Sequence, residues 1–412
     1  MTKRFHMRVA LLSAEYPPTP GGVGDYTRQL GKALVARGHQ VWVLTIYDLR
    51  FVIYDLNSGD AQFVGSAVNH KAPWGWQSWR TIGEVIGMVR PDVLHIQYQT
   101  GAYGMHPAIN FLPWWMRRSR QRPTIVVTTH DLLEPYLFPK AGPLRAYVTH
   151  RLLNDADAAI VTNQDDWATV AGWSGRNQNE PPACIPIGSN IAVALPPDYD
   201  RDVLRAQLGV GESDTLLAYF GLMGRSKGVD TLVGALAQLP QTTRLVIIGG
   251  EASAPQDRAY AEAVRAQIAT LGGQERVVIT GQLDEAAVSA HLLAADIAAL
   301  PFSDGATFRR GSLLAALAHG LPVVTTEGVR RGAWGVGLGM PTFEDGKNVL
   351  LVPPGDAAAL AAAITRLTGD RALRAQLGAA GAALAAQFAW PRIAEQHEAV
   401  YHHPMDAQAA LT

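Results

Sequence analysis

The sequence predicts an α/β protein made of two tandem, Rossmann-like, doubly wound domains followed by a closing helix. Three observations carry that expectation. Short apolar or β-branched runs alternate with helical stretches along almost all of the 412 residues, the pattern of a parallel sheet covered by helices. The chain is too long for one hydrophobic core. A Pro- and Asp-rich break at Leu195–Asp202 splits the alternation into two halves. The expected domains are therefore 1–194 and 195–390, with 391–412 crossing back to the first.

Taken in order, Arg8–Ala14 reads as a buried strand, followed by the glycine-bearing loop EYPPTPGGVGDYT and a helix from about Tyr26 to Arg37. Gly38 closes that helix before the strand Gln40–Thr45, completing a βαβ unit with a glycine-rich first crossover. Asp92–Gln97, Thr124–Thr129, Ala158–Val161 and Cys184–Ile187, the last leading into the loop Gly188–Asn190, continue the first sheet. The second half restarts at Thr215–Phe220, with helices Thr231–Leu239, Pro255–Leu271 and Glu285–Ala294. Its later strands are Arg244–Ile248, Val277–Thr280, Ile297–Leu300, Val323–Thr326 and a return strand Val349–Val352. Asp356–Phe388, rich in alanine, reads as two surface helices, and Trp390-Pro391 turns the chain back. Ligands of such sheets sit beyond the C-terminal ends of the strands, so a cleft between the domains is the expected site.

Composition narrows the function classes. A net charge of −1 gives no general attraction to nucleic acid or to an anionic surface. One cysteine, Cys184, forbids an intrachain disulfide and any Cys-based zinc site, and fits a reducing compartment. The start MTKRFHMRVALLSAEYPP has no signal-peptide architecture, and no run reaches the roughly 18 apolar residues of a membrane span. A cytoplasmic protein is expected. The 12 histidines show no metal-ligand spacing. Asp155-Ala156-Asp157 has Asp-x-Asp spacing but falls at a helix-to-strand turn, where a capping role is expected.

The chemistry-bearing stretch is Pro301–Thr326, PFSDGATFRRGSLLAALAHGLPVVTT. It reads as a loop, a helix opened by Arg309-Arg310-Gly311-Ser312, a stop at Gly320 and a strand. Unpaired N–H groups at the helix start, a glycine admitting close approach and two guanidinium groups together suit a phosphate. Gly21, Gly22 and Gly24 likewise let backbone N–H groups approach a substrate. His130, at the C-terminal end of the run IVVTT and followed by Asp131, is placed where a doubly wound sheet presents its site. His95 lies within a strand and is expected to be packed, whereas Gln97 and Tyr98 are expected to reach an acceptor.

RVALLSAEYPPTPGGVGDYTRQLGKALVARGHQVWVLT, VVTTHDLLEP, FGLMGRSKGVDTLVGAL, HGLPVVTT, NVLLVPPGD and FAWPRIAEQ, in this order and spacing, resemble the family 4 glycosyltransferases. The resemblance spans nearly the whole chain. It implies the GT-B architecture and metal-independent transfer of a sugar from a nucleotide-diphosphate sugar, with retention of configuration. No cofactor beyond that donor is implied. The resemblance also implies roles: Gly21 and Gly22 under the donor phosphates, His130 at the donor sugar or acceptor, and Asp25, Gln97 and Tyr98 towards the acceptor. It makes Lys227 and Arg225 the cations that neutralise the departing diphosphate, and Arg309, Arg310, Gly311 and Ser312 the remainder of the donor site. Two departures stand out. The family's arginine, five residues before the lysine, is here Leu222, and Arg225 is the nearest substitute. Its two glutamates eight positions apart fall on Thr307 and Ala315.

The acceptor is expected to be a sugar or a lipid-linked molecule, and nucleic acid is not expected as a partner. Trp114, Trp115, Arg117, Arg118, Arg120 and Arg122 form a basic-aromatic cluster. It fits either weak peripheral contact with a membrane or a half-buried helix with a solvated face. The absent glutamates leave two alternatives to transfer: a non-catalytic nucleotide-sugar-binding protein, or a GT-B-like sugar-nucleotide epimerase. For the epimerase, the sequence supplies no pair of acid/base groups.

Overall fold

The computed structural model describes residues 6–19, 21–64, 73–119, 122–132, 143–173, 181–189, 191–250, 255–328 and 341–409. The chain forms two compact units, one of residues 1–188 with 390–412 and the other of residues 189–389. Of the expected features, Asn190 and Arg120 lie outside the described residues.

The first unit runs β1 (Arg8–Ser13), α1 (Gly22–Ala36), β2 (Gln40–Tyr47), β3 (Arg50–Asp55) and β4 (Ala61–Val64). It continues with α2 (Ser78–Val89), β5 (Val93–Tyr98), α3 (Ala108–Met116), β6 (Thr124–Thr129), α4 (Pro143–Asn154), β7 (Ala158–Val161), α5 (Gln164–Ala171) and β8 (Ala183–Cys184). The second unit opens with α6 (Arg201–Gln207), β9 (Thr215–Phe220), a 3-10 turn at Arg225–Lys227, α7 (Val229–Leu236), β10 (Thr243–Ile248) and α8 (Pro255–Thr270). Then come β11 (Val277–Ile279), α9 (Glu285–Ala294), β12 (Ile297–Leu300), α10 (Gly311–Ala318), β13 (Val323–Thr326) and β14 (Leu350–Val352). Helices α11 (Ala357–Gly369) and α12 (Arg371–Ala385) close that unit, and α13 (Trp390–Ala409) belongs again to the first.

The first sheet has eight strands in the order β4-β3-β2-β1-β5-β6-β7-β8, and the second six in the order β11-β10-β9-β12-β13-β14. The second is parallel throughout, whereas β2, β3 and β4 pair antiparallel, so the first sheet is mixed rather than purely parallel. Strand order reverses at β1/β5 and at β9/β12, which are the switch points where such folds hold ligands.

Period-two alternation divides the first core into two layers. Leu94, Ile96, Ile125 and Val127 pack on the face that carries Leu112 and Met116 of α3. Val93 and Val126 pack on the opposite face, against Leu30 and Leu34 of α1 and Ile393 and Tyr401 of α13. Helix α13 is also tied electrostatically, since Arg37 Nε and Nη2 donate to Glu398 at 2.5 and 2.7 Å and His39 Nε2 lies 2.7 Å from the same carboxylate. Burial alone would raise the Glu398 carboxyl, but Arg37 and His39 outweigh it and hold it below its ordinary value.

Helix α1 begins at Gly22, not Tyr26, so Gly22 and Gly24 lie in its first turn rather than in the preceding loop. The Glu15 carboxylate lies against Gly21, at the start of a helix to which it is not adjacent in sequence, and burial raises its pKa. Gly24 is required by packing: a Cβ there would stand 3.1 Å from both Glu15 O and Tyr16 Cα. The Asp-x-Asp aspartates serve neither as caps nor as a metal pair. Asp155 lies 2.7 Å from Arg151 Nη2, and Asp157 receives Arg122 and the backbone N–H of Ile125.

Candidate active site

Two groups of side chains, one in each unit, carry the expected chemistry. In the second unit they gather at the β9/β12 switch point. The loop after β9 tightens into the 3-10 turn containing Lys227, and the loop after β12 runs from Pro301 to Arg310. Ser303 ties them together, its N–H donating to Ser226 O and its hydroxyl to Arg225 O, each at 3.2 Å. Gly228 permits the approach. Its φ is +67°, and a Cβ there would lie 1.9 Å from Pro301 O.

The Phe302 ring organises the charges. Lys227 Nζ lies 5.6 Å and the Arg310 guanidinium carbon 4.6 Å from its centroid. Arg310 also pairs with Asp304. One carboxylate therefore faces two cations, leaving a net positive charge on a largely apolar floor. Burial, and then the neighbouring Arg310, pull the Lys227 ammonium below its ordinary value, with Asp304 opposing. Beside this pair α10 begins at Gly311, with Arg310 as an extended N-cap making no side-chain capping bond. The amides of Gly311 and Ser312 make no hydrogen bond to the described residues, and open space surrounds the position of a Gly311 Cβ. Partial positive charge at the helix start thus adds to that of Lys227 and Arg310, an arrangement that favours a diphosphate.

The remaining arginines are placed differently. Arg225 and Arg309 are exposed, and neither side chain stacks on Phe302. Leu222 is exposed as well. Ala315 is fully buried in the core beneath α10, so no carboxylate projects from that position. Thr307 lines a separate pocket of about 200 Å³ together with Phe308, Thr326, Phe343 and Leu351.

In the first unit, His130 follows β6, and its N–H donates to Tyr98 O at 2.8 Å. Its side chain is nearly buried, with Nε2 3.0 Å from Gln97 Oε1 and the Tyr26 ring edge-on at 4.7 Å. Neighbouring residues of β5 face opposite ways: Gln97 turns towards His130 and His95, while Tyr98 turns to the α3 side. Both are buried, which differs from the expectation of direct acceptor contact. The Tyr98 hydroxyl is spent on Thr100 and Asn110. His95 is packed as expected, between Tyr401 and Thr128. Asp25 is half-buried, 3.4 Å from Arg28, and Gly21 is the extended residue before α1. Among the described residues, no group of three His, Cys, Asp or Glu side chains could hold a metal.

The basic-aromatic cluster divides. Trp115 stacks on Trp79, Trp79 meets Trp76, and Trp76 leads through Phe111 to Trp114, with Arg118 3.6 Å above the last ring. Trp76, Trp114, Arg117 and Arg118 are exposed, whereas Arg122 is drawn inward by Asp157. Among the described residues no helix is long and apolar enough to cross a membrane.

Comparison with known proteins gives these groups a family. Residues 214–370 match the family model "Glycosyl transferases group 1", and residues 21–186 match "Glycosyl transferase 4-like domain". The chain belongs to the family 4 glycosyltransferases. This glycosyltransferase is a hexosyltransferase-type enzyme with the GT-B fold. It is 25% identical over 423 residues to D-inositol 3-phosphate glycosyltransferase of Xylanimonas cellulosilytica, covering 96% of each chain. Over 413 residues it is 27% identical to phosphatidyl-myo-inositol mannosyltransferase of Mycobacterium leprae, again covering 96% of both. Among solved structures, sucrose-phosphate synthase of Thermosynechococcus elongatus superposes with a TM-score of 0.69 at 24% identity, over 98% of this chain and 100% of that one. Phe302, Glu15 and the pairing of Asp304 with Arg310 are not marked by the sequence. The only available signal was position: Phe302 and Asp304 immediately follow a strand at a switch point.

Proposed function

We propose that this glycosyltransferase moves a sugar from a nucleoside-diphosphate donor to a hydroxyl of an inositol-phosphate-type acceptor, retaining anomeric configuration and using no metal. The observation that carries the donor reading is Lys227 and Arg310 sharing the Phe302 ring beside the open start of α10. As the sugar–phosphate bond breaks, negative charge builds on the diphosphate, and fixed cations there lower the barrier. They supply the charge that a bound metal would otherwise bring, while Asp155 and Asp157 are engaged by arginines. Retention is the outcome the family resemblance implies, and in the first unit the buried imidazole of His130 is the group suited to stabilising charge. The acceptor class follows from the shared inositol moiety in the names of the two relatives. As a family member the chain is an enzyme, which sets aside the non-catalytic alternative.

A membrane-borne acceptor is favoured by the exposed Trp76 and Trp114 flanked by Arg117 and Arg118, since indole rings and guanidinium groups suit an anionic lipid–water interface. The membrane contact would be weak and peripheral.

The deciding experiment incubates the enzyme with UDP-, GDP-, ADP- and TDP-sugars in EDTA, with inositol 3-phosphate or phosphatidylinositol vesicles. Product anomers are read by NMR. One donor consumed in EDTA with its configuration kept is the expected result. An inverted product, or activity abolished by EDTA and restored by a divalent ion, overturns the mechanism. Transfer only to acceptors lacking inositol overturns the acceptor class.

A further inference from the structure

We propose that Gln97 is the positioning residue of His130, fixing the tautomer and plane of its ring. The inference rests on the reading of His130 as a group of the transfer site. Gln97 is wholly buried on the face of the first sheet that meets α1 and α13. Its Oε1 is 3.0 Å from His130 Nε2, and its Nε2 is 3.2 and 3.3 Å from the two ring nitrogens of His95.

His95, on the other side of the Gln97 amide, is already bonded at both ring nitrogens. That ring lies 2.7 Å from the Tyr401 hydroxyl and 2.7 Å from the Thr128 hydroxyl. Burial, followed by the nearby His397 and His130, holds its pKa well below the ordinary value, so it is neutral and owns one N–H. That N–H is committed to Tyr401 or Thr128. Both His95 nitrogens already meet hydroxyls, so the orientation is read from the other end of the amide, where Gln97 Oε1, which can only accept, lies on His130 Nε2. With the carbonyl oxygen on His130, the His130 Nε2 carries the proton and the amide NH2 lies beside His95. In the neutral ring this leaves the lone pair on Nδ1.

The groups packed around His130 keep this state. Tyr26 of α1 stands edge-on to the ring, and its OH is 3.1 Å from His397 Nε2 of α13. Burial raises the Tyr26 and Tyr401 hydroxyls, so both stay protonated, and depresses His397 to about 4. The nearest carboxylate in sequence, Asp131, is bonded to the Thr100 hydroxyl at 3.1 Å.

Three variants and one direct measurement test the assignment. In the unaltered enzyme, 15N-detected histidine spectra at neutral pH are expected to show His130 as the Nε2–H tautomer. A predominantly Nδ1–H ring overturns the proposal without any variant. Gln97→Leu fills the space but accepts no proton. It is expected to mix the tautomers and lower kcat by about 10- to 100-fold while KM for the donor changes little. Gln97→Glu keeps an acceptor but adds charge, so the His130 protonation midpoint and the kcat pH profile are expected to move upward together by about one pH unit or more. Unchanged His130 spectra and an unchanged pH profile in both variants would also overturn it. His130→Ala separates the two ideas: full turnover in that variant removes His130 from transfer, while the spectra still decide what holds the ring.

Discussion

Lys227 and Arg310 do different work although both meet Phe302. The Lys227 ammonium is half-buried and has no carboxylate within ion-pair distance among the described residues, whereas Arg310 is held by Asp304. Lys227→Ala is therefore expected to cut turnover by about 100- to 1,000-fold with little loss of stability, the scale of removing one preorganised charge from a transition state. Steady-state kinetics and thermal unfolding of the same preparation check both halves. Arg310→Ala is expected to weaken nucleoside-diphosphate binding more than nucleoside binding, measured by calorimetry, and more than Arg309→Ala does. Equal effects of the two arginine variants would show that exposure and the Phe302 contact make no difference. The sequence located these residues because a glycine at a helix start and basic residues beside it are local signals. It could not rank Arg310 above Arg309, because the ranking comes from Phe302 and Asp304, several residues away in the loop.

At the level of elements, legibility followed the source of each boundary. Strands β9, β12 and β13 and helix α9 have the limits their apolar runs suggest, because turn-formers adjoin them. The antiparallel extension β2–β3–β4 lies outside the expected strands beyond β2. Its β2–β3 turn, Asp48-Leu49, takes φ of +48° and +57° without the glycine or asparagine that normally marks such a turn. Helix α1 starts four residues early, at Gly22, where the Glu15 carboxylate lies beside the turn from across the loop. Gly228 is the element-scale test of the second unit, since it lets two loops touch. Gly228→Ala is expected to destabilise by at least about 2 kcal/mol, through strain at positive φ and collision with Pro301 O. It should also reduce diphosphate binding, because Lys227 would move with the turn. A chemical denaturation curve superposing on that of the unaltered protein would refute this.

On the scale of the whole molecule, the return of α13 to the first unit builds a neutral, buried histidine pair into that unit. His397 titrates at about 4 in the fold against 6.5 in the ordinary state, because burial disfavours its charge. The unfolded chain binds the proton first, so stability is complete above about 6.5 and falls as the pH drops towards 4. His397 alone accounts for a loss on the order of 3 kcal/mol across that window, and His95 acts in the same direction. Thermal unfolding between pH 7 and pH 4 is expected to show an early loss of the first unit, and His397→Gln to flatten it. A first unit equally stable at both pH values would contradict the assignment.

Unaided, the sequence determined the two-domain α/β architecture, the return of the chain's end to the first domain, the family resemblance, and the positions of His130 and Lys227. These features follow from alternation, turn chemistry and residues at strand ends, all of which are local or nearly so. Only the tertiary structure decided which cations share a floor, that Gln97 faces His130 while Tyr98 faces away, and that Asp155 and Asp157 are matched to arginines. Those outcomes depend on contacts between residues far apart in the chain. Gln97 meets His130 across paired strands, and Tyr401 reaches His95 from a helix 306 positions later. Periodicity determines the face on which a side chain lies; only packing determines what it meets there.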